Sequence, residues 1–320
     1  MQHVEKSDAG IEALVLESGE RITADLFVDA SGFRSELLGR ALEVPFKSYA
    51  DALFCDRAVI AGWPRTDEII RPYTTVETMS AGWAWQIEHE HFINRGYVYS
   101  STFQSDDDAL AELRAKNPRL ATTPRVVKFP SGRYQRLWVG NVVAVGNASG
   151  FVEPLEATSL TAIGDQARSL AAALGDSDFA PTPTVIALYN AYRTRGWDEI
   201  RDFLAVHYRF NTRLDTPFWQ HCRAHCDLGG AAALCEYFRE NGPSALGSVL
   251  FYQAANTFGH EGYMSLLVGQ RVPHGRPHQP TAAEQAQWIG RADAFSRSAQ
   301  QGYTVAQGLQ IIRDPRWSWG

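Results

Sequence analysis

Residues Asn141–Leu160 read NVVAVGNASGFVEPLEATSL, and this stretch decides the fold. Val142-Val143-Ala144-Val145 is a continuous apolar run, as expected of a strand buried on both faces. It meets a turn, Gly146-Asn147-Ala148-Ser149-Gly150, whose glycines let backbone approach a ligand closely. A short loop then delivers Glu153, Pro154 and Glu156. From Thr158 the pattern is helical, with Leu160, Ile163, Ala167, Leu170, Ala171 and Leu174 predicted on one apolar face. The first turn of a helix has free N–H groups and the positive end of the dipole, which favour an anion. A carboxylate, Glu156, thus stands two residues before an anion-favouring helix start. The residues alone also allow a plain strand–turn–helix joint with Glu153 and Glu156 in solvent.

Upstream, the pattern is mostly strands. Met1–Gly10 is polar, and Ile11–Leu16 opens a strand that turns at Glu17–Glu20 and resumes at Arg21–Asp29. A short helix or turn is expected at 34–40, with strands at Leu53–Gly62, Tyr73–Met79, Trp83–Glu88 and Gly96–Phe103. Asp106–Lys116 reads as a helix capped by Ser105 or Asp106 and stopped by Pro118. Arg125–Pro130 and Arg136–Val145 read as strands. Downstream of Pro181 and Pro183, residues 184–270 read as helices, Val272–Pro280 as a linker, and 281–300 as a final amphipathic helix before an aromatic tail with Trp317 and Trp319. Two regions follow: 1–180, mixed α/β, and 181–320, mainly helical.

Composition excludes several classes. The chain has 320 residues, 45% hydrophobic and 21% charged, enough for a core without disulfides or metals. A net charge of -6 without a basic block argues against nucleic acid. No apolar run approaches a membrane span, and four scattered cysteines fit a reducing cytoplasm. His221, Cys222, His225 and Cys226 share a helical stretch, but structural zinc takes its ligands from two separated pairs, so no metal is expected.

Four segments together resemble one family. The GNASGFVEPLEATS run is similar to the hallmark of the flavin-dependent tryptophan halogenases. DLFVDASGFR at 25–34, GWAWQI at 82–87 and the Glu199–Trp219 stretch, with His207, Tyr208, Arg213 and DTPFW, resemble the family's other signatures in order and spacing. The resemblance implies an α/β (α+β) FAD-binding fold of the aromatic hydroxylase type with an added helical substrate region. It implies FAD as FADH2 from a separate flavin reductase, chloride or bromide as co-substrate, and a small aromatic substrate such as tryptophan, indole or pyrrole. By position, Glu156 is the expected catalytic carboxylate, and the backbone N–H groups of Thr158 and Ser159 the halide site. Gly146, Asn147, Gly150, Phe151 and Pro154 are the expected flavin contacts, and Trp83 and Trp85 a wall between flavin and substrate.

The chain departs from the pattern in places. The family's catalytic lysine and Gly-x-Gly-x-x-Gly phosphate turn have no counterpart, since the lysines are Lys6, Lys47, Lys116 and Lys128 and no Gly-x-Gly occurs. The expectation is an N-terminally truncated member, with the FAD fold incomplete and flavin affinity poor. Glu88 stands where the signature has Pro. Ala157 and Ser159 replace the usual Ser and Gly, which points to a substrate other than free tryptophan. A flavin monooxygenase, an inactive remnant or binding module, and a homodimeric state stay open.

Overall fold

In a computed structural model, residues 2–66, 69–251 and 257–318 are described. Trp319 lies outside them. The chain opens with a three-stranded sheet, β1 (His3–Ser7), β2 (Gly10–Val15) and β3 (Arg21–Ile22). The polar start is therefore a strand, contrary to the sequence reading. It pairs with β2 as a hairpin edge, where an exposed face tolerates polar residues.

β4 (Phe27–Asp29) lies parallel to β13 (Val142–Ala144), and β12 (Trp138–Val139) pairs antiparallel on its other side. The expected single strand 136–145 is thus a hairpin. Gly140 makes the turn at φ +56°, a left-handed backbone that glycine adopts without a Cβ clash. Val142, Val143 and Ala144 are fully buried, as a continuous apolar run should be. At the end of β4, the buried Asp29 carboxylate accepts the N–H groups of Ser31, Leu37 and Leu38 at 2.9–3.1 Å. It thereby satisfies backbone donors at the start of the short helix Glu36–Ala41.

A five-stranded antiparallel sheet follows, in the order β10-β6-β9-β8-β7. Its strands are β6 (Arg57–Pro64), β7 (Thr75–Met79), β8 (Gly82–Glu88), β9 (Phe92–Tyr99) and β10 (Arg125–Lys128). The strands expected at 53–62 and 96–103 are offset in the sequence, because 100–103 turns toward α1 (Asp106–Lys116). The Ser105 side chain caps α1 through the Asp108 N–H at 3.1 Å. A third small sheet joins β5 (Phe46–Ser48), β11 (Gly132–Tyr134) and β14 (Gly150–Phe151).

The helices begin with α2 (Thr158–Asp176) and α3 (Pro183–Arg209), the latter capped by Thr182 with Pro183 in its first turn. The face of α2 differs from the predicted one: Leu160 and Ile163 are exposed, while Thr158, Gln166 and Leu170 are buried. Gln166 turns inward because the glycine turn beneath needs its hydrogen bonds. α4 (Pro217–His225), α5 (Ala232–Asn241), α6 (Leu246–Leu250) and α7 (Gly259–Gly269) complete the helical part. The helix expected last, α8 (Ala282–Gln300), buries no residue and is followed by α9 (Val305–Ile312), which sequence patterning missed.

α3 ties the molecule together. Trp197, Ile200, Leu204 and Tyr208 recur at helical spacing and enter the largest core with Tyr49, Trp83, Tyr97 and Trp138 from the sheets. Phe203 and Val206 face a second core with Phe238, Tyr263 and Leu267. Asp198 anchors the helix to the third sheet, accepting from Arg133 at 2.8 Å, Tyr49 at 2.7 Å and Lys47 at 3.1 Å.

Candidate functional site

The joint from β13 to α2 is held by a buried polar cluster. Gly146, at φ +57°, donates its N–H to Gln166 Oε1 at 2.7 Å. Ser149 Oγ donates to the Gly146 carbonyl at 2.7 Å and accepts from Gln166 Nε2 at 2.9 Å and Trp197 Nε1 at 3.3 Å. These bonds tie the two ends of the turn to α2 and α3. Asn147, Gly150 and Phe151 line a hollow of about 120 Å³ with Phe33, Phe46, Pro130 and Tyr134. Pro154 is exposed at the start of a 3-10 turn, Pro154–Glu156.

Glu153 is the residue that patterning missed. It is fully buried: Trp83 Nε1 donates to Oε1 at 3.1 Å and the Tyr208 hydroxyl donates to the same oxygen, while Oε2 has no hydrogen-bond partner. Burial pushes its carboxyl up to about 7, against the lowering effect of Tyr208 and Trp83. The local sequence does not mark it, because the Gly146–Gly150 turn and Pro154 flank it as they would a solvated loop residue.

Three residues on, the Glu156 carboxylate stands 2.6 Å from His207 Nε2. The contact is an ion-pair approach, because the ring N–H is not aligned on the oxygen for a hydrogen bond. Ala157 takes a left-handed conformation at φ +53°, and α2 begins at Thr158. The Thr158 hydroxyl is buried without a partner. Glu156 and Thr158 open on a cavity of about 450 Å³, whose walls include Tyr192, Trp197, Ile200 and Phe258. His207 opens on a second cavity of about 530 Å³, together with Trp83, Leu155 and Tyr208. The Glu156–His207 pair thus stands between the two cavities, one partner on each.

The expected site residues separate on this geometry. Glu156 and Thr158 share the first cavity, and Ser159 follows in the first turn of α2. Trp83 lines the second, whereas Trp85 lines neither of the two; its ring covers Gly96 and its Nε1 donates to Asn94 Oδ1 at 2.9 Å. No lysine lines either cavity. Cys222 on α4 and Cys226 just past its end are buried, and the rings of His221 and His225 lie 4.6 Å apart. Among the described residues no group of three metal-ligating side chains is assembled.

A sequence profile described as "Tryptophan halogenase" matches residues 1–287. The chain belongs to the tryptophan halogenase family. It is 32% identical over 304 residues to the tryptophan 7-halogenase RebH of Lentzea aerocolonigenes, covering 89% of this chain and 57% of that protein. It is 40% identical over 215 residues to the tryptophan 6-halogenase ThaL of Streptomyces albogriseolus, covering 66% and 40% of the two chains. Among solved structures, MibH, a lanthipeptide tryptophan 5-halogenase, superposes with a TM-score of 0.87 at 38% identity, over 96% of this chain and 59% of that one. Xcc4156, a flavin-dependent halogenase from Xanthomonas campestris, does so with a TM-score of 0.88 at 30% identity, over 97% and 62%. This tryptophan halogenase chain thus spans about half the length of the curated relatives it matches. Its α/β architecture is that of the flavin-dependent halogenases.

The residues present fit part of a flavin. Asn147, with no hydrogen-bond partner among the described residues, lines the hollow beside the glycine turn, where it could meet the edge of a ring system. A phosphate-binding Gly-x-Gly turn does not occur in the sequence, so the flavin's pyrophosphate has no such cradle among these residues.

Proposed function

We infer that this chain carries the halogenating centre of an FAD-dependent halogenase acting on an indole ring. One observation carries the reading. Glu156, held against His207 at 2.6 Å, and the buried, unpartnered Thr158 hydroxyl at the start of α2 open on one aromatic-walled cavity. At about 450 Å³, that cavity falls in the range of small-molecule sites.

Bound reduced flavin, meeting O2, would supply the oxidation that makes chloride or bromide electrophilic. The protein's own residues do the rest. The N–H groups of Thr158 and Ser159, at the positive end of α2, hold the halide. Tyr192, Trp197 and Phe258 stack on the indole and exclude water. Substitution on the ring releases a proton, and the Glu156 carboxylate accepts it as general base. His207, 2.6 Å from one carboxylate oxygen, helps to hold Glu156 in place. The buried Trp83, with its Nε1 tied to Glu153, closes the second cavity against the loop that bears Glu156.

The reduced flavin comes from a separate reductase that meets the enzyme transiently. Among the described residues no helix is long and apolar enough to cross a membrane. A tryptophan residue within a peptide is a fitting substrate, given the resemblance to MibH.

The test uses the full-length protein with a flavin reductase, bromide and either tryptophan or a tryptophyl peptide, read by product mass. A monobrominated product is expected, and Glu156→Gln should lower its rate about 100- to 10,000-fold, the usual worth of a general base. A hydroxylated product without bromine would overturn the reading in favour of monooxygenation.

A further inference from the structure

The second cavity carries a charge that the halogenation reading does not use. Among the described residues no acidic one lines it, although the chain as a whole has a net charge of -6. Arg213 and Arg271 do line it, and neither has an ion-pair partner among the described residues. It runs on into a third cavity of about 820 Å³ between the end of α3, α4, α5 and the segment after α7. Phe210, Thr212, Gln270 and Arg271 belong to both. Arg209 adds a further cation there, also without an ion-pair partner among the described residues.

Two more arginines line that third cavity, but both are answered locally. Arg223 pairs with Asp215, and Arg239 approaches Glu236 at 3.4 Å. The unanswered charge is therefore concentrated at Arg209, Arg213 and Arg271, around the junction. A side-chain acceptor waits at the same place. Gln270 donates Nε2 to the Val206 carbonyl at 3.2 Å, while its Oε1 is buried with no donor. A buried acceptor without a donor is costly, and a ligand N–H would satisfy it. Arg271 follows the C-cap of α7 in a left-handed conformation at φ +58°, the ordinary end of a helix in which the Val272 N–H returns to the Leu267 carbonyl, and this turn sets the arginine at the junction. A fitting ligand thus brings an N–H for Gln270 and an anion for the arginines, whose planar forks match carboxylates.

We propose that this junction is a recognition subsite for an acidic peptide, binding a carboxylate close in sequence to a tryptophan whose ring enters the Glu156 cavity. The inference rests on the indole reading of the first cavity. The ring would lie on the Glu156 side of the Glu156–His207 pair, and the peptide would cross His207 to the arginines. Two adjoining cavities of about 530 and 820 Å³ leave far more room than a free amino acid fills.

Binding to the 320-residue chain tests this without flavin, by fluorescence anisotropy of labelled short peptides. One peptide has a tryptophan flanked by aspartates, one has it flanked by glycines, and free tryptophan serves as competitor. The acidic peptide should bind about tenfold more tightly than the neutral one, with an advantage that shrinks as salt is added. Arg213→Glu with Arg271→Glu should abolish that preference and leave the neutral peptide's affinity unchanged. The milder pair Arg213→Gln with Arg271→Gln should halve it or more, and Arg125→Glu, on β10 in the five-stranded sheet, should leave it intact. An acidic-to-neutral ratio near one, or a ratio that survives the double reversal, overturns the subsite. Loss of free tryptophan competition in the double variants assigns the arginines to the amino acid's own carboxylate and overturns the peptide. Neutral-peptide binding reads the ring cavity separately: its absence, with acidic binding intact, refutes the indole reading and supports the arginines. Failure of both peptides overturns both.

Discussion

Replacing Glu153 with Gln should change how the stability of this chain depends on pH. Burial lifts the Glu153 carboxyl from 4.5 to about 7. At about 1.4 kcal/mol per tenfold change in proton affinity, the folded state is penalised by roughly 3 kcal/mol once the group ionises. The sign follows from proton counting. Between pH 4.5 and about 7 the folded state holds a proton that the unfolded chain has lost, so stability falls as pH rises through that window. Below 4.5 both states are protonated and no penalty exists. Glutamine stays neutral and keeps an acceptor for Trp83 and Tyr208. Its amide nitrogen takes the place of the unpartnered Oε2, at a constant cost of about 1–3 kcal/mol. That cost sets an offset between the two proteins but leaves the slope alone. Urea unfolding followed by circular dichroism at several values from pH 5 to pH 8 reads the difference between wild type and Glu153→Gln. The variant should gain about 3 kcal/mol on wild type across the range. A difference that stays flat with pH refutes the reasoning, because the carboxyl would then ionise alike in both states. Glu153→Ala should destabilise by about 2–4 kcal/mol below pH 4.5, since it orphans Trp83 Nε1 and the Tyr208 hydroxyl and leaves a void, and that deficit should shrink as pH rises because the variant has no carboxyl to ionise.

Three further outcomes are expected. Thr158→Val removes a buried hydroxyl without a partner and keeps the backbone N–H assigned to the halide; it should raise stability by about 1 kcal/mol in urea. Asp198→Asn should cost about 2 kcal/mol, since Arg133 loses its charge partner. Burial alone would raise the Asp198 carboxyl, but hydrogen bonds from Arg133 and Tyr49 outweigh it and hold it below its usual range. Its contribution is therefore present at neutral pH and lost as the solution turns acid, and the variant should show a shallower acid unfolding curve. Gly96→Ala sets a Cβ within 1.9 Å of the Trp85 ring; it should destabilise by about 1–3 kcal/mol and shift tryptophan fluorescence.

The order of elements was legible because local rules govern it. The apolar run 142–145, the turn glycines and the start of α2 at Thr158 follow from hydrophobic continuity and helix-end chemistry within a few residues. Ser105 before Asp106 marks a helix start that the structure places at that residue. The family signatures are local strings, and they carried the reading of Glu156 as the site carboxylate.

What the sequence left open depends on which segments meet. Nothing near Glu153 reveals that Trp83 from β8 and Tyr208 from α3 converge on it and remove it from water. Glu156 meets His207 only because α3 crosses the joint between β13 and α2. The inward face of α2 was misread for the same reason: helical periodicity weighs side-chain hydrophobicity, whereas the buried turn at Gly146 and Ser149 demands a polar partner, and Gln166 meets that demand. Sequence thus determined the elements and the candidate carboxylate. Tertiary structure decided which charges are buried, which are paired, and which arginines stand unanswered, because burial and pairing are set by contacts between residues far apart along the chain.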